Sequence, residues 1–425
     1  DFDTVPELTI NTITDVRQRE PAIAKTRSSS AGTGDFVVVW SDFQLATTGV
    51  SQLPGDIYAQ RFNAGGVPLG GQFRVNESTD YQIGNQTTAS VAMNAMGDFV
   101  VVWSGQGRDD NDGVFAQRFS RFGAQLGGVI QVNTFTTSKQ SEPSVAMDAD
   151  GDFVIAWNSY GQDGDVDGIF AQRFDSLGNK VGAEFQVNNT SANRQQMPDV
   201  AMDADGEFVI TWDSYNQDGS SWGVYGRRYT AAGAALGGEF RVNSTTTNPQ
   251  RGNAVAMDSD GEFAVVWSSL NQDGSGYGVY GQRFSKTGAK LGGEFRVNQT
   301  TLNWQYQADV SMDAAGNFAV SWTSNQQDTD SDGVYARMYD ADGSNPDDPT
   351  RVGEFRVNST TDGNQNMSAI GMDGAGNFAV VWAGDVPPDL TATPIDFNDS
   401  DIFGKVFAPN PVGAPPVIAA PVPVM

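Results

Sequence analysis

The chain has neither cysteine nor histidine among its 425 residues. Without cysteine there is no disulfide framework, zinc–thiolate site or thiol nucleophile, so the fold stands on burial, hydrogen bonds or bound ions. Without histidine the commonest general base, the Ser-His-Asp triad and every imidazole metal site are excluded. Carboxylates, hydroxyls and amides are the chemistry that remains. Basic residues are scarce as well, with 25 Lys and Arg against 52 Asp and Glu and a formal net charge of −27. That charge repels nucleic acid and anionic lipid, so neither is an expected partner. No apolar run approaches the roughly 18 residues of a membrane helix, and membrane insertion is not expected. The chain opens at Asp1 without an initiator Met or a signal-peptide pattern and reads as a mature or excised segment.

What the chain does contain is repetition. Seven tryptophans, Trp40, Trp103, Trp157, Trp212, Trp267, Trp322 and Trp382, end similar phrases such as MDADGDFVIAW (147–157) and MDADGEFVITW (202–212). The period is about 55 residues, the scale at which each repeat is one supersecondary unit. In the third copy four strands are expected: A over 143–147, B over 152–157, C over 168–174 and D over 183–188. All are short, rich in Val, Ile, Phe and Trp, and separated by turn residues. Strand B is apolar at successive positions, so both of its faces must be covered, as in a sheet held between two neighbouring sheets. The expectation is an all-β, seven-bladed β-propeller of four-stranded antiparallel blades. PELTIN (6–11) matches strand D and DIFGKVF (401–407) matches strand C, so the N-terminal strand should complete the last blade and leave no open edge. Residues 1–408 form this single domain. Residues 409–425, rich in Pro and Ala, read as a tail or linker.

The phrases NQDGSGYGVYGQRF (271–284), GGEFRVN (292–298) and VAMDADG (200–206) resemble the propeller-type repeat of large secreted bacterial surface and adhesin proteins. Those proteins also carry hemolysin-type calcium-binding or cadherin-like modules. The resemblance implies an extracellular or cell-surface location and an adhesive role, and it carries no catalytic residues.

Candidate sites come from the loops. Asp163, Asp165 and Asp167, and again Asp328, Asp330 and Asp332, fit D-x-D-x-D-G, the opening half of a calcium loop, although Phe174 and Tyr339 stand where an EF-hand has its closing Glu. Calcium is the cofactor expected there, with a solvated acidic turn as the alternative. Asp148, Asp150 and Asp152 are read as turn residues, because other copies keep the glycine without the carboxylates. Trp222 and Tyr277 on the B–C loops, with Trp304 and Tyr306 nearby, offer rings for stacking on a sugar or a protein, or for packing between loops. One glutamine recurs in each blade; Gln195, Gln250 and Gln305 are candidate ligand contacts, against the alternative that each amide bonds its own loop. Methionines at one strand A position are read as core filling between blades.

Three functions compete. The leading expectation is a non-enzymatic extracellular module for adhesion or assembly, binding a glycan or protein in a calcium-dependent way through the B–C and D–A loop face. The second is a structural subunit of a cell-surface layer or filament, with copies of itself as partners. The third is a carbohydrate-active enzyme using two carboxylates, disfavoured because strand A is dominated by Val, Ala and Met and no acidic pair stands out.

Overall fold

A computed structural model describes residues 5–13, 17–26, 34–43, 55–76, 86–107, 110, 112–328, 330–344, 353–385 and 400–408; the expected tail, 409–425, lies outside them. The described residues form seven antiparallel sheets of four strands and no helix. The inner strand of each sheet packs against the inner strands of both neighbours, the first against the last included, so the sheets close into a ring. The seven-bladed propeller is therefore correct.

Blade three consists of Gln140–Met147, Phe153–Tyr160, Asp167–Phe174 and Lys180–Gln186. Strand A begins three residues before the expected start because a β-bulge lets pairing continue across Pro143: Ser141 pairs with Asn158 and Ser144 with Ala156. The bulge recurs in all seven inner strands. Its residue takes a positive φ at Glu20, Thr88, Glu142, Met197, Gly252, Gln307 and Met367.

The ring closes as the chain ends imply. Leu8 pairs with Gly404 and Thr9 with Phe403, and the Ile10 amide donates to the Ile402 carbonyl at 2.8 Å. Glu7 also plays the part of a strand D glutamate. It accepts the Ser359 amide at 2.7 Å, as Glu184, Glu239 and Glu294 accept Thr134, Asn189 and Ser244 from the preceding blades.

The core lies between blades. All seven tryptophans are fully buried. Ala146, Val154 and Ile169 of blade three meet Val200, Met202, Ile210 and Trp212 of blade four. Small residues on one face meet large ones on the next, so the methionines fill the core as expected. Burial of each large apolar side chain contributes roughly 1.5–3 kcal/mol. Within the blade, Phe153 stacks on Phe174 at 4.8 Å.

Candidate active site at the channel mouth

The residues that recur in every blade prove to be latches. The Asn188 side-chain oxygen accepts the Ile169 amide at 2.9 Å, standing in for a ladder partner at the end of strand D, while its amide nitrogen donates to Gln195 at 3.0 Å. Gln195 in turn donates to the Ala192 carbonyl at 2.9 Å. Gln250 and Gln305 repeat this with Asn243 and Thr247, and with Asn298 and Leu302. All three glutamines are fully buried, so they fasten each D–A loop and do not face a ligand.

The aspartates of the two D-x-D-x-D-G loops are brought to separate partners. Asp163 accepts from Asn188 at 3.3 Å, Asp165 from the Asn193 amide at 2.7 Å, and Asp167 lies 3.7 Å from Arg194. In blade six Asp328 accepts from Asn358, Asp330 from the Gly363 amide, and Asp332 from Tyr306 and Asn325. Among the described residues no three acidic side chains gather as a metal site. The physical reason is that each carboxylate is instead engaged by a donor of its own, although Asp163 and Asp167 stay near enough for the charge of one to act on the other. At the opposite end, Asp148 accepts the amides of Asp150, Gly151 and Asp152 within its own turn, with Gly151 at φ +93.

The aromatic candidates fall into two groups on the B–C and D–A loop face. Trp222 packs against Tyr215 at 5.1 Å. Tyr277, Trp304 and Tyr306 form a continuous wall across blades five and six, with Trp304 edge-on to both neighbours and 55% exposed. Tyr306 donates its hydroxyl to Asp332 at 2.8 Å, which fixes that end of the wall.

Below this wall the channel carries groups that the sequence reading missed. The inner strands are Arg17–Lys25, Gln86–Met93, Gln140–Met147, Gln195–Met202, Gln250–Met257, Gln305–Met312 and Gln365–Met372. They enclose a cavity of about 140 Å³ lined by residues such as Val200, Val255 and Val310. The fifth position counted from the glutamine is Ala22, Ser90, Ser144, Asp199, Ala254, Asp309 and Ala369. Small residues suffice in five blades, so the carboxylates of blades four and six are not demanded by the fold.

Their surroundings explain their state. Inner strands are edge strands, and their channel-side amides lack a ladder partner. Asp199 accepts the Val255 amide at 2.7 Å and the Ser144 hydroxyl at 2.7 Å. Asp309 accepts the amides of Ile370 and Val310, each at 2.8 Å, and no side-chain donor among the described residues. Burial pushes the Asp309 carboxyl up to about 7, and the charge of Asp199 adds to the rise. Burial also raises Asp199, against the pull of Ser144 and two backbone amides. A third acid, Asp213, is fully buried on strand B of blade four and is raised by burial to about 7. It accepts the Gly252 amide at 2.7 Å and the Asn253 side chain at 3.0 Å. Departures from the seven-fold pattern thus gather on blades four to six. Lining up the inner strands by their glutamines would have exposed them, whereas reading strand A by its dominant residues concealed them.

No family model and no curated protein matches the chain. Solved structures do. A protein of unknown function from Dyadobacter fermentans is 9% identical over 94% of this chain and 97% of its own, with a TM-score of 0.54. The endosialidase of phage phi92 is 8% identical over 99% of this chain and 71% of its own, with a TM-score of 0.52. The GH93 α-L-arabinofuranosidase of Fusarium graminearum is 11% identical over 78% of this chain and 95% of its own, with a TM-score of 0.50. At such identities the likeness shows the propeller fold. It lends no support to a link with adhesins, and it overturns the expectation of a non-enzymatic module, since the neighbours with a named activity are enzymes acting on glycans.

Proposed function

We propose that the chain is a carbohydrate-active enzyme whose site is the channel mouth at blades four to six, with Asp199 and Asp309 as its two carboxylates. The observation that carries this reading is the pair itself: two acids at one position of the inner strands, each next to a channel-lining valine and close enough that the charge of Asp199 acts on Asp309, with the exposed Trp304 on the same blade as Asp309. Glycosidic bond cleavage needs one carboxyl that holds a proton and one that has lost it, and differing environments divide the roles. Asp309 has only amide donors among the described residues and feels its neighbour's charge, so it keeps its proton and serves as the acid. Asp199, supported by the Ser144 hydroxyl, ionises first and faces the developing positive charge or activates water. Trp304 and Tyr277 supply the ring faces on which a sugar stacks. The named activities of the phage and Fusarium neighbours agree with this chemistry.

The test is release of reducing sugar from arabinan and from a sialylated glycan by the wild type, Asp309→Asn and Asp199→Asn. Loss of roughly 100-fold or more in either variant, with folding intact by circular dichroism, is expected. A wild type that cleaves neither glycan, or variants that cleave as fast as it does, overturns the proposal.

A further inference from the structure

Arg251 sits between the two carboxylate-bearing blades, second in the inner strand of blade five. In a chain with 52 acidic and 25 basic residues, an arginine is seldom far from an acid. Arg74 lies 3.1 Å from Asp56 and Arg194 lies 3.7 Å from Asp167. The Arg251 side chain is exposed, lies over the Tyr277 ring at 5.9 Å and makes no hydrogen bond or ion pair among the described residues, although its charge reaches the buried Asp213.

The backbone beneath it is held firmly. Gly252 takes the bulge at φ +68, and Asp213 grips both its amide and the Asn253 side chain. Asn253 also donates to the Met197 carbonyl at 2.9 Å and accepts from the Thr211 hydroxyl at 2.6 Å. The wall beside it is equally specific to this place. Trp304 lies over Gly276, where a Cβ would come within 2.3 Å of the indole Cδ1. The other copies put Val166, Ser221 and Ser331 at that loop position, so the glycine and the tryptophan belong together.

We propose that the site takes a sugar bearing a carboxylate, with Arg251 receiving the carboxylate and Trp304 and Tyr277 receiving the ring. This rests on the glycan reading above and adds the substrate class. The physical reason is complementarity: a guanidinium presents a planar fork that matches a carboxylate with two parallel hydrogen bonds. The Tyr277 ring beneath it limits where that fork can lie. The overall negative charge does not oppose the contact, because charges beyond roughly 8 Å are screened at physiological salt. A neutral sugar would offer the guanidinium no carboxylate.

The test measures affinity by saturation-transfer NMR for two pairs of probes. One pair is methyl β-D-glucuronide and methyl β-D-glucoside; the other is a methyl sialoside and its methyl ester. At least one acidic sugar is expected to bind roughly tenfold more tightly than its neutral counterpart, and the pair that shows this distinguishes a uronic from a sialic source. Arg251→Met should abolish the difference without shifting the melting temperature, while Trp304→Ala weakens both members of the pair alike. Equal affinity within both pairs overturns the acidic class and leaves the glycan reading standing. Binding of none of the four overturns this proposal, whereas the glycan reading is judged separately by the cleavage assay.

Discussion

The ammonium of Lys25 lies 3.9 Å from a carboxylate oxygen of Asp373, across the seam where blade one meets blade seven. Lys25 occupies the position held by Met in the six other blades. Its ammonium donates to the Gly34 carbonyl at 3.0 Å, and burial lowers its pKa to about 8. Two charges taken out of water recover little net stability by pairing, and an apolar replacement of similar size is commonly neutral or better. Lys25→Met should therefore keep or raise the melting temperature. Asp373→Ala should cost roughly 3 kcal/mol, because it strands the lysine and removes the acceptor for the Ala375 and Asn377 amides. Thermal unfolding of the two variants checks this; a large loss in Lys25→Met would contradict it.

Stability should fall as pH rises from about 4 to 8. Asp213 and Asp309 have folded-state pKa values raised to about 7, above the roughly 3.9 of an unfolded aspartate. The folded chain holds these protons more tightly. Their contribution is full below the unfolded value and is lost as pH rises through the folded one. Melting curves from pH 4 to 8 should show the decline, and Asp213→Asn should flatten it. A curve for that variant as steep as the wild type would remove Asp213 from the account.

The buried glutamines and the exposed tryptophan should behave in opposite ways. Gln195→Ala removes one buried and one part-buried hydrogen bond and leaves the Ala192 carbonyl without that donor, at a cost of roughly 1–3 kcal/mol. Sugar affinity should not change. Trp304→Ala should leave the melting temperature within about a degree, as exposed substitutions commonly do, and weaken sugar binding. Paired calorimetry and binding measurements on both variants decide the matter.

Deleting residues 1–11 should open blade seven. The strand from Ser400 to Phe407 would lose its outer partner while keeping its pairing with Phe378–Asp385, and Ile10 would leave the core. A bare strand edge recruits other chains. Light scattering should report association of the truncated protein, with a lower melting temperature; an unchanged monomer would speak against a sealing role for Leu8 and Thr9.

Most of the fold was legible because its signals recur. The tryptophan period, the unbroken apolar run of strand B and the strand-like phrases at the two chain ends each carry a geometric meaning that repetition amplifies. The bulges were not legible, since Glu20, Thr88 and Met197 have no side-chain preference for a positive φ; the ring geometry imposes it. At the site, the recurrent residues misled. A glutamine seen seven times is required by every blade and so serves the blade, as Gln250 does with Thr247. The carboxylates at Asp199 and Asp309 are each a local exception, and an exception carries little weight when the pattern is read by majority. The aspartate loops could be read only by spacing, which does not show that Asp165 would take the Asn193 amide or that Asp332 would take the Tyr306 hydroxyl.

The seam also orders events in time. Asn11 donates to Asp401 at 2.7 Å over a separation of 390 positions. Leu8 and Thr9 therefore wait for nearly the whole propeller to be made before they meet their partners, and so distant a contact is slow to form. Until that contact forms, the outer edge of the strand from Ser400 to Phe407 stays open to pairing with a foreign chain.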